Sequence, residues 1–333
     1  MERANFLKAW FIDTFMIIIT VVFLSLFLVS QTALASGKIV FSKFLGDYSQ
    51  IFMTDENGEN QINLSENKVN DGNSVWSPDG KYIAFISDKN QNEARKYEIY
   101  IMDADGSHRR RITNDQSFDS YMPSFSPDGR RLAFARTALQ NVNSSYRIFI
   151  TNVNGGQNDK FVTDGYMPNW SPDGTKIAFC KKANLSSYLD ICVIDSDGQN
   201  LVNITNSPNS VDAYPIWSPD GKQIVFTSNA PLGGFSQIFN LYRMDANGGN
   251  VMRLTDGNEE YDSRTWLPNG QYILFEIWNV FDNTHKIAMI KTDGSDLRII
   301  CDGSNPSWFD PDFSKQITLS GKLADTWGGI KIK

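Results

Sequence analysis

The side chains able to do chemistry are few and scattered. Two histidines, His108 and His285, stand far apart in the chain, too few for a metal cage of the three or four ligands that such a centre needs. Both are expected in solvated loops. The strings Asp103-Ala104-Asp105-Gly106 and Asp195-Ser196-Asp197-Gly198 open like a calcium loop, but no bidentate glutamate closes them. Their counterpart Asn152-Val153-Asn154-Gly155 has the same turn chemistry without the acids, so hairpin turns are expected. The strand-turn-helix elbow Gly-x-Ser-x-Gly of a hydrolase is absent from the sequence. No catalytic residue and no cofactor is assigned.

Six aspartates form the one recurrent constellation. Asp71, Asp119, Asp164, Asp212, Asp262 and Asp302 each lie four to six positions ahead of an aromatic residue. They are read in two ways: as caps of their own turns, or as an acidic rim that would draw a divalent cation or a basic group of a partner. Tyr121, Tyr166, Tyr214 and Tyr261 share these connections, where they would offer amphipathic contact surface to a partner or pack between structural units.

The elements that place these residues come from an internal repeat. Ser77-Pro78-Asp79-Gly80 returns as Ser126-Pro127-Asp128-Gly129, Ser171-Pro172-Asp173-Gly174, Ser218-Pro219-Asp220-Gly221 and, altered, Leu267-Pro268-Asn269-Gly270, at intervals of 45 to 49 residues. Proline presets φ and Asp-Gly supplies a reversal, so each copy joins two antiparallel strands. An aromatic precedes each copy (Trp76, Phe125, Trp170, Trp217, Trp266) and an apolar run ending in phenylalanine follows (Phe85, Phe134, Phe179, Phe226, Phe275). A third strand comes next, then an Asn-Gly or Asp-Gly pair in all six units, from Asn57-Gly58 to Asp293-Gly294, which suits a tight hairpin. Short fourth strands such as Arg111-Ile112-Thr113, Asn203-Ile204-Thr205 and Arg253-Leu254-Thr255 close the units.

A four-stranded unit of this size cannot bury both of its faces alone, and radial packing against neighbours solves that. The first unit begins at its second strand, Lys38-Ile39-Val40-Phe41, while Asn305-Pro306-Ser307-Trp308 repeats the missing first strand. The sequence therefore predicts an all-β fold: a six-bladed β-propeller of four-stranded antiparallel blades, closed by a C-terminal strand that completes the N-terminal blade.

The strings Pro-x-Trp-Ser-Pro-Asp-Gly-x-x-Ile-Ala-Phe, followed by Ile-Tyr-x-Met-Asp and a Leu/Ile-Thr strand, resemble the WD-like repeats of the TolB β-propeller family over residues 37 to 310. The resemblance implies a periplasmic protein that works through protein contacts in the Tol-Pal envelope system. TolB proteins carry an α/β domain ahead of the propeller, and here the repeat starts directly after an apolar segment.

That segment is uncharged from Thr14 to Gly37 and almost continuously apolar from Phe15 to Val29, and Ala33-Leu34-Ala35 offers small residues to a signal peptidase. Residues 1–35 are read as a signal peptide, with a retained membrane anchor as the alternative. Residues 36–310 are the propeller, and 311–333 are a tail of unassigned role, either docked through Trp327 and Ile330 or mobile. Net charge is −7 with scattered Lys and Arg, which speaks against nucleic acid as a partner. Cys180, Cys192 and Cys301 are too few for a disulfide framework; the first two sit on hairpin neighbours and are read either as bridged or as buried thiols. Long connections after the second strands, carrying Pro231 and Phe235, elaborate one face.

Together these point to an exported, periplasmic or secreted, monomeric scaffold without catalytic function, binding a protein partner or cell-envelope component. The alternative is a carbohydrate-active enzyme, a lyase or glycosidase, using channel-facing carboxylates.

Overall fold

A computed structural model describes residues 37–311 apart from 89–95, 116, 139–145, 156–158, 183–187, 231–237 and 258. The described residues form six antiparallel sheets of four strands each. Blade one holds β1 (Lys38–Phe44), β2 (Ser49–Asp55) and β3 (Ile62–Asn63). Blade two is β4 (Asp71–Trp76), β5 (Tyr82–Ser87), β6 (Glu98–Asp103) and β7 (Arg110–Arg111), and blade three is β8 (Phe118–Phe125), β9 (Arg131–Ala138), β10 (Arg147–Asn152) and β11 (Lys160–Asp164). Blade four is β12 (Tyr166–Trp170), β13 (Lys176–Lys182), β14 (Leu189–Asp195) and β15 (Val202–Asn203). Blade five is β16 (Asp212–Trp217), β17 (Gln223–Ser228), β18 (Asn240–Asp245) and β19 (Met252–Arg253). Blade six is β20 (Glu260–Trp266), β21 (Tyr272–Asn279), β22 (Thr284–Lys291) and β23 (Arg298–Asp302), and β24 (Ser304–Phe309) returns to blade one.

The ring closes as the repeat requires. β24 pairs with β1 in the order β24-β1-β2-β3, with Trp308 opposite Ile39 and Phe309 opposite Lys38. The buried apolar side chains then fall into six clusters, each shared by two adjacent blades. Ile39, Phe41 and Trp308 of blade one, for instance, pack on Leu274, Ile287 and Met289 of blade six. The core is thus a set of seams between blades, and no blade owns a core of its own. That is why the units need one another.

The recurrent turn is held by its own polar groups. Ser77 Oγ donates to Asp79 at 2.7 Å and accepts the Tyr82 N–H at 2.9 Å, while the Gly80 N–H closes on the Ser77 carbonyl at 2.9 Å with Gly80 at φ +66°. The same hydroxyl-carboxylate pair recurs at Ser171–Asp173 and Ser218–Asp220.

In blades two, four and five the fourth strands are shorter than the sequence predicts, ending at Arg111, Asn203 and Arg253, whereas β11 and β23 run for five residues. Ile112, Ile204 and Leu254 each still donate one backbone bond to the third strand, and the threonine after them binds through its side chain. The N–H groups of Ile99, Ile191 and Leu241 donate to the hydroxyls of Thr113, Thr205 and Thr255 at 2.9 to 3.0 Å, and Ser65 does the same for Ile51. A hydroxyl replaces a ladder carbonyl and still satisfies the buried amide.

Cys180 and Cys192 are both buried and free. The register sets Phe179 opposite Cys192 and Cys180 opposite Ile191, so the two thiols point to opposite faces of the blade and enter different seams. An offset of one residue on a strand excludes a bridge. Cys301 is free as well.

Candidate functional site

The six innermost strands line a central channel of about 420 Å³. Five of them kink three residues before their aromatic. Asn73, Met122, Met167, Tyr214 and Asn305 all occupy the left-handed region, with φ between 47° and 56°, at the register shifts of their hairpins. Such backbone is costly for a residue with a Cβ, and the bulge turns the next side chains toward the axis. In four blades the residue after the kink is proline: Pro123, Pro168, Pro215 and Pro306. Blade two has Ser74, and blade six places Arg264 two positions ahead of Trp266.

Around Arg264, blade six carries a charged network that reaches its neighbours. Its guanidinium reaches Asp262 at 3.1 Å and Glu276 at 3.2 Å and lies 4.5 Å over the ring of Tyr214 from blade five. Glu276 is buried; its other oxygen meets His285 Nδ1 at 2.7 Å, and it accepts the backbone N–H of Asn305 at 2.9 Å. Asn305 in turn accepts from Asn73 Nδ2 at 2.8 Å, which carries the network into blade two. The His285 imidazole lies parallel to Trp278, 5.7 Å between centroids and 3° between planes. Equivalent positions elsewhere hold Ile86, Ala135, Cys180 and Thr227 for Glu276, and Tyr97, Tyr146, Leu189 and Phe239 for His285.

Burial dominates the protonation of the acids. Glu260, half-buried, is pushed up to about 7 by burial, with Asp262 and Glu276 adding to the effect. Asp262 is raised to about 6, again by burial, although Arg264 pulls it down. For Glu276 the burial penalty is outweighed by His285, Arg264 and the Asn305 amide, which hold it below the usual carboxylate range. Neighbouring carboxylates whose environments push them apart are a feature of functional sites.

The six aspartates are not equivalent. Asp71 and Asp212 are buried at the first positions of β4 and β16 and accept hydroxyls, Ser65 at 2.8 Å and Ser228 at 2.6 Å. Asp119 lies within β8 and accepts the Tyr97 N–H at 2.7 Å. Asp262 lies within β20 and is bound to Arg264. Asp164 and Asp302 end the outer strands β11 and β23 and are exposed. Among the described residues no group of three or more His, Cys, Asp or Glu side chains is arranged to hold a metal ion.

Of the four tyrosines, Tyr214 lines the channel. Tyr121 joins a run of rings across blades two to four, Tyr97–Tyr121–Tyr146–Tyr166, at 5.3 to 6.4 Å between neighbours. Tyr214 lies under Arg264. Tyr261, by contrast, is buried in the seam between blades five and six and donates to Glu259. Pro231, Phe235, Trp327 and Ile330 lie outside the described residues, as does the 1–35 segment.

His285 corrects the sequence reading. It is a residue of β22 paired with Trp278, whereas His108 is the exposed turn residue expected, bound to Asp103 at 2.8 Å. Arg264, Glu276 and His285 were all missed as a group, though a signal existed. Laying the repeats over one another shows Arg264 where four blades have proline, and a carboxylate where the others carry an uncharged side chain.

Comparison with known proteins supports the same frame. Residues 84–315 match the family described as the TolB β-propeller domain. A Tol-Pal system protein TolB of Thioalkalivibrio sulfidiphilus (strain HL-EbGR7) is 35% identical over 68 residues, 20% of this chain and only 15% of that protein. Among solved structures, TolB from Acinetobacter baumannii superposes with a TM-score of 0.65 at 22% identity, covering 82% of this chain and 66% of that one. A putative TolB from Agrobacterium tumefaciens gives 0.62 at 20% identity, covering 81% and 91%. At such identities the structures speak for the fold.

Proposed function

Because the chain belongs to the TolB β-propeller family, we propose that it is an exported, periplasmic, non-catalytic scaffold that binds a protein partner or cell-envelope component at the channel mouth framed by Tyr121, Tyr146, Tyr214, Arg264 and His285. The observation that carries this reading is the departure of blade six from the repeat. Six blades share one structural solution, and among the described residues only blade six departs from it with an Arg–Glu–His set centred on the buried Glu276. Removing charges from water costs several kcal/mol per ion, roughly, unless pairing repays it, and the positions equivalent to Glu276 in the other blades carry uncharged side chains, so the repeat itself does not call for the charge. Rings with polar tips next to fixed charges are the composition of a protein-binding patch.

The absence of a nucleophile beside His285 favours binding over turnover. Its Nδ1 is engaged by Glu276 and its ring is stacked on Trp278, and among the described residues no serine, threonine or cysteine side chain is hydrogen-bonded to it. Photo-crosslinking amino acids at positions 146 and 278 should capture one envelope protein, and the same probe at the exposed position 62, on the outer strand β3 of blade one, should not. Equal capture from all three positions would remove the mouth as the binding surface. Cleavage of an oligosaccharide by the purified protein would replace the scaffold by the carbohydrate-active alternative.

A further inference from the structure

On the face that carries the Ser-Pro-Asp-Gly turns, away from the network of blade six, lies a cleft of about 930 Å³. It is more than twice the volume of the channel and falls within the usual range for ligand sites, about 300–1,000 Å³. Pro172, Pro219, Val193, Ile204 and Trp217 form its apolar wall, and the turn aspartates Asp128, Asp173 and Asp220 stand on its rim.

The cleft exists because one blade fails to repeat what its neighbour does. In blade three, Arg131, two residues past the turn, lays its guanidinium 4.6 Å over the ring of Trp170 in the next blade. At the ring closure, Phe309 covers Trp76 at 5.3 Å. The counterpart of Arg131 in blade four is Lys176, and the ring it should cover is Trp217. Lys176 instead binds Asp195 at 2.6 Å. Of the five tryptophans at this repeat position, Trp76, Trp170, Trp266 and Trp308 are buried, and Trp217 alone is left partly exposed.

The charges around it select the occupant. Arg131 and Lys176, the two cations of the lining, are committed to Trp170 and Asp195. The three aspartates are anions: burial pushes each up, but a serine hydroxyl and a backbone N–H, joined at Asp220 by the exposed Lys222 at 3.7 Å, outweigh it and hold each below its ordinary value. An aromatic face beside carboxylates is where a cation gains most.

We infer that this cleft receives the cationic side chain of an otherwise apolar peptide segment of a partner, an arginine or lysine laid over Trp217 between Asp173 and Asp220, as Arg131 is laid over Trp170 within the chain. The flanking apolar wall takes the neighbouring side chains of that segment.

The test uses the full chain and a capped leucine–arginine–leucine tripeptide, with the citrulline peptide as its uncharged isostere, by calorimetry and tryptophan fluorescence. The arginine peptide should bind about tenfold more tightly than the citrulline peptide, as one cation–π contact implies. Trp217→Leu should abolish that preference. Lys176→Arg, a surface change that leaves the turn intact, should place a guanidinium of the chain itself over Trp217 and weaken binding, with an unchanged melting temperature. Equal binding of the two peptides, or full binding by Lys176→Arg, would overturn the proposal. So would self-association that Trp217→Leu abolishes without any peptide binding, which would make a second copy the occupant.

Discussion

The carboxylate of Glu276 on β21 accepts the backbone N–H of Asn305 on β24 at 2.9 Å, so the last complete blade grips the strand that closes the ring. The same carboxylate neutralises Arg264 and holds His285. Closure and the channel charge therefore share one side chain. Glu276→Ala should lower stability by about 3–5 kcal/mol, the cost of leaving one partner of a buried pair alone. Glu276→Gln, which keeps an acceptor for Asn305, should cost less. Urea unfolding of both variants checks this, and equal losses would separate closure from charge.

Glu260 sets a pH dependence of known sign. Its folded-state value, about 7, lies above the ordinary 4.5, so the folded chain holds the proton through that interval. The stability it contributes is complete below about pH 4.5 and is lost as pH rises through about 7. Glu260→Gln should therefore be near neutral at pH 5 and raise the melting temperature at pH 8. Glu276, held low, acts in the other sense and loses its contribution only as pH falls. Melting curves in which Glu260→Gln shifts both pH values equally would contradict the assignment.

Trp308 should prove as important to folding as any residue of a complete blade, although it is more than 260 positions from its partner Ile39. It is buried in the seam with Leu274 and Met289. Trp308→Ala should cost about 3–5 kcal/mol, as for other large core truncations. A cost below that of an exposed-surface change, measured by denaturant unfolding, would mean the ring does not depend on its closing strand.

Thr113 tests the side-chain bridge that ends the fourth strands. Its hydroxyl accepts the Ile99 N–H and donates to the buried Glu98, which is paired with the buried Lys96 at 2.7 Å. Thr113→Val keeps the shape and removes both bonds, leaving buried polar groups unmet at a cost of about 1–3 kcal/mol. Thr113→Ser should restore most of it, as Ser65 serves blade one. Unfolding free energies that rank valine with serine would refute the bridge.

The turns, the hairpins and the count of six follow from residues a few positions apart, and these were readable from composition and spacing. Ser77, Asp79 and Gly80 build their turn from contacts within five residues. Even the long-range pairing of Trp308 with the first blade was readable, because the repeat shows which strand the first unit lacks. The short fourth strands were overestimated, since a Thr hydroxyl replacing a carbonyl leaves the apolar pattern unchanged.

Sequence alone thus determined the blades, their order and their closure, because a repeat encodes local bonding the same way each time. Tertiary structure decided which charges meet. Arg264, Glu276, His285 and Asn305 come from four strands, β20, β21, β22 and β24, and only the bulged inner strands and the ring geometry bring them within hydrogen-bonding reach. It likewise decided that Lys176 turns to Asp195 and leaves Trp217 uncovered, since a long flexible side chain chooses between partners by distance, which spacing along the chain does not specify.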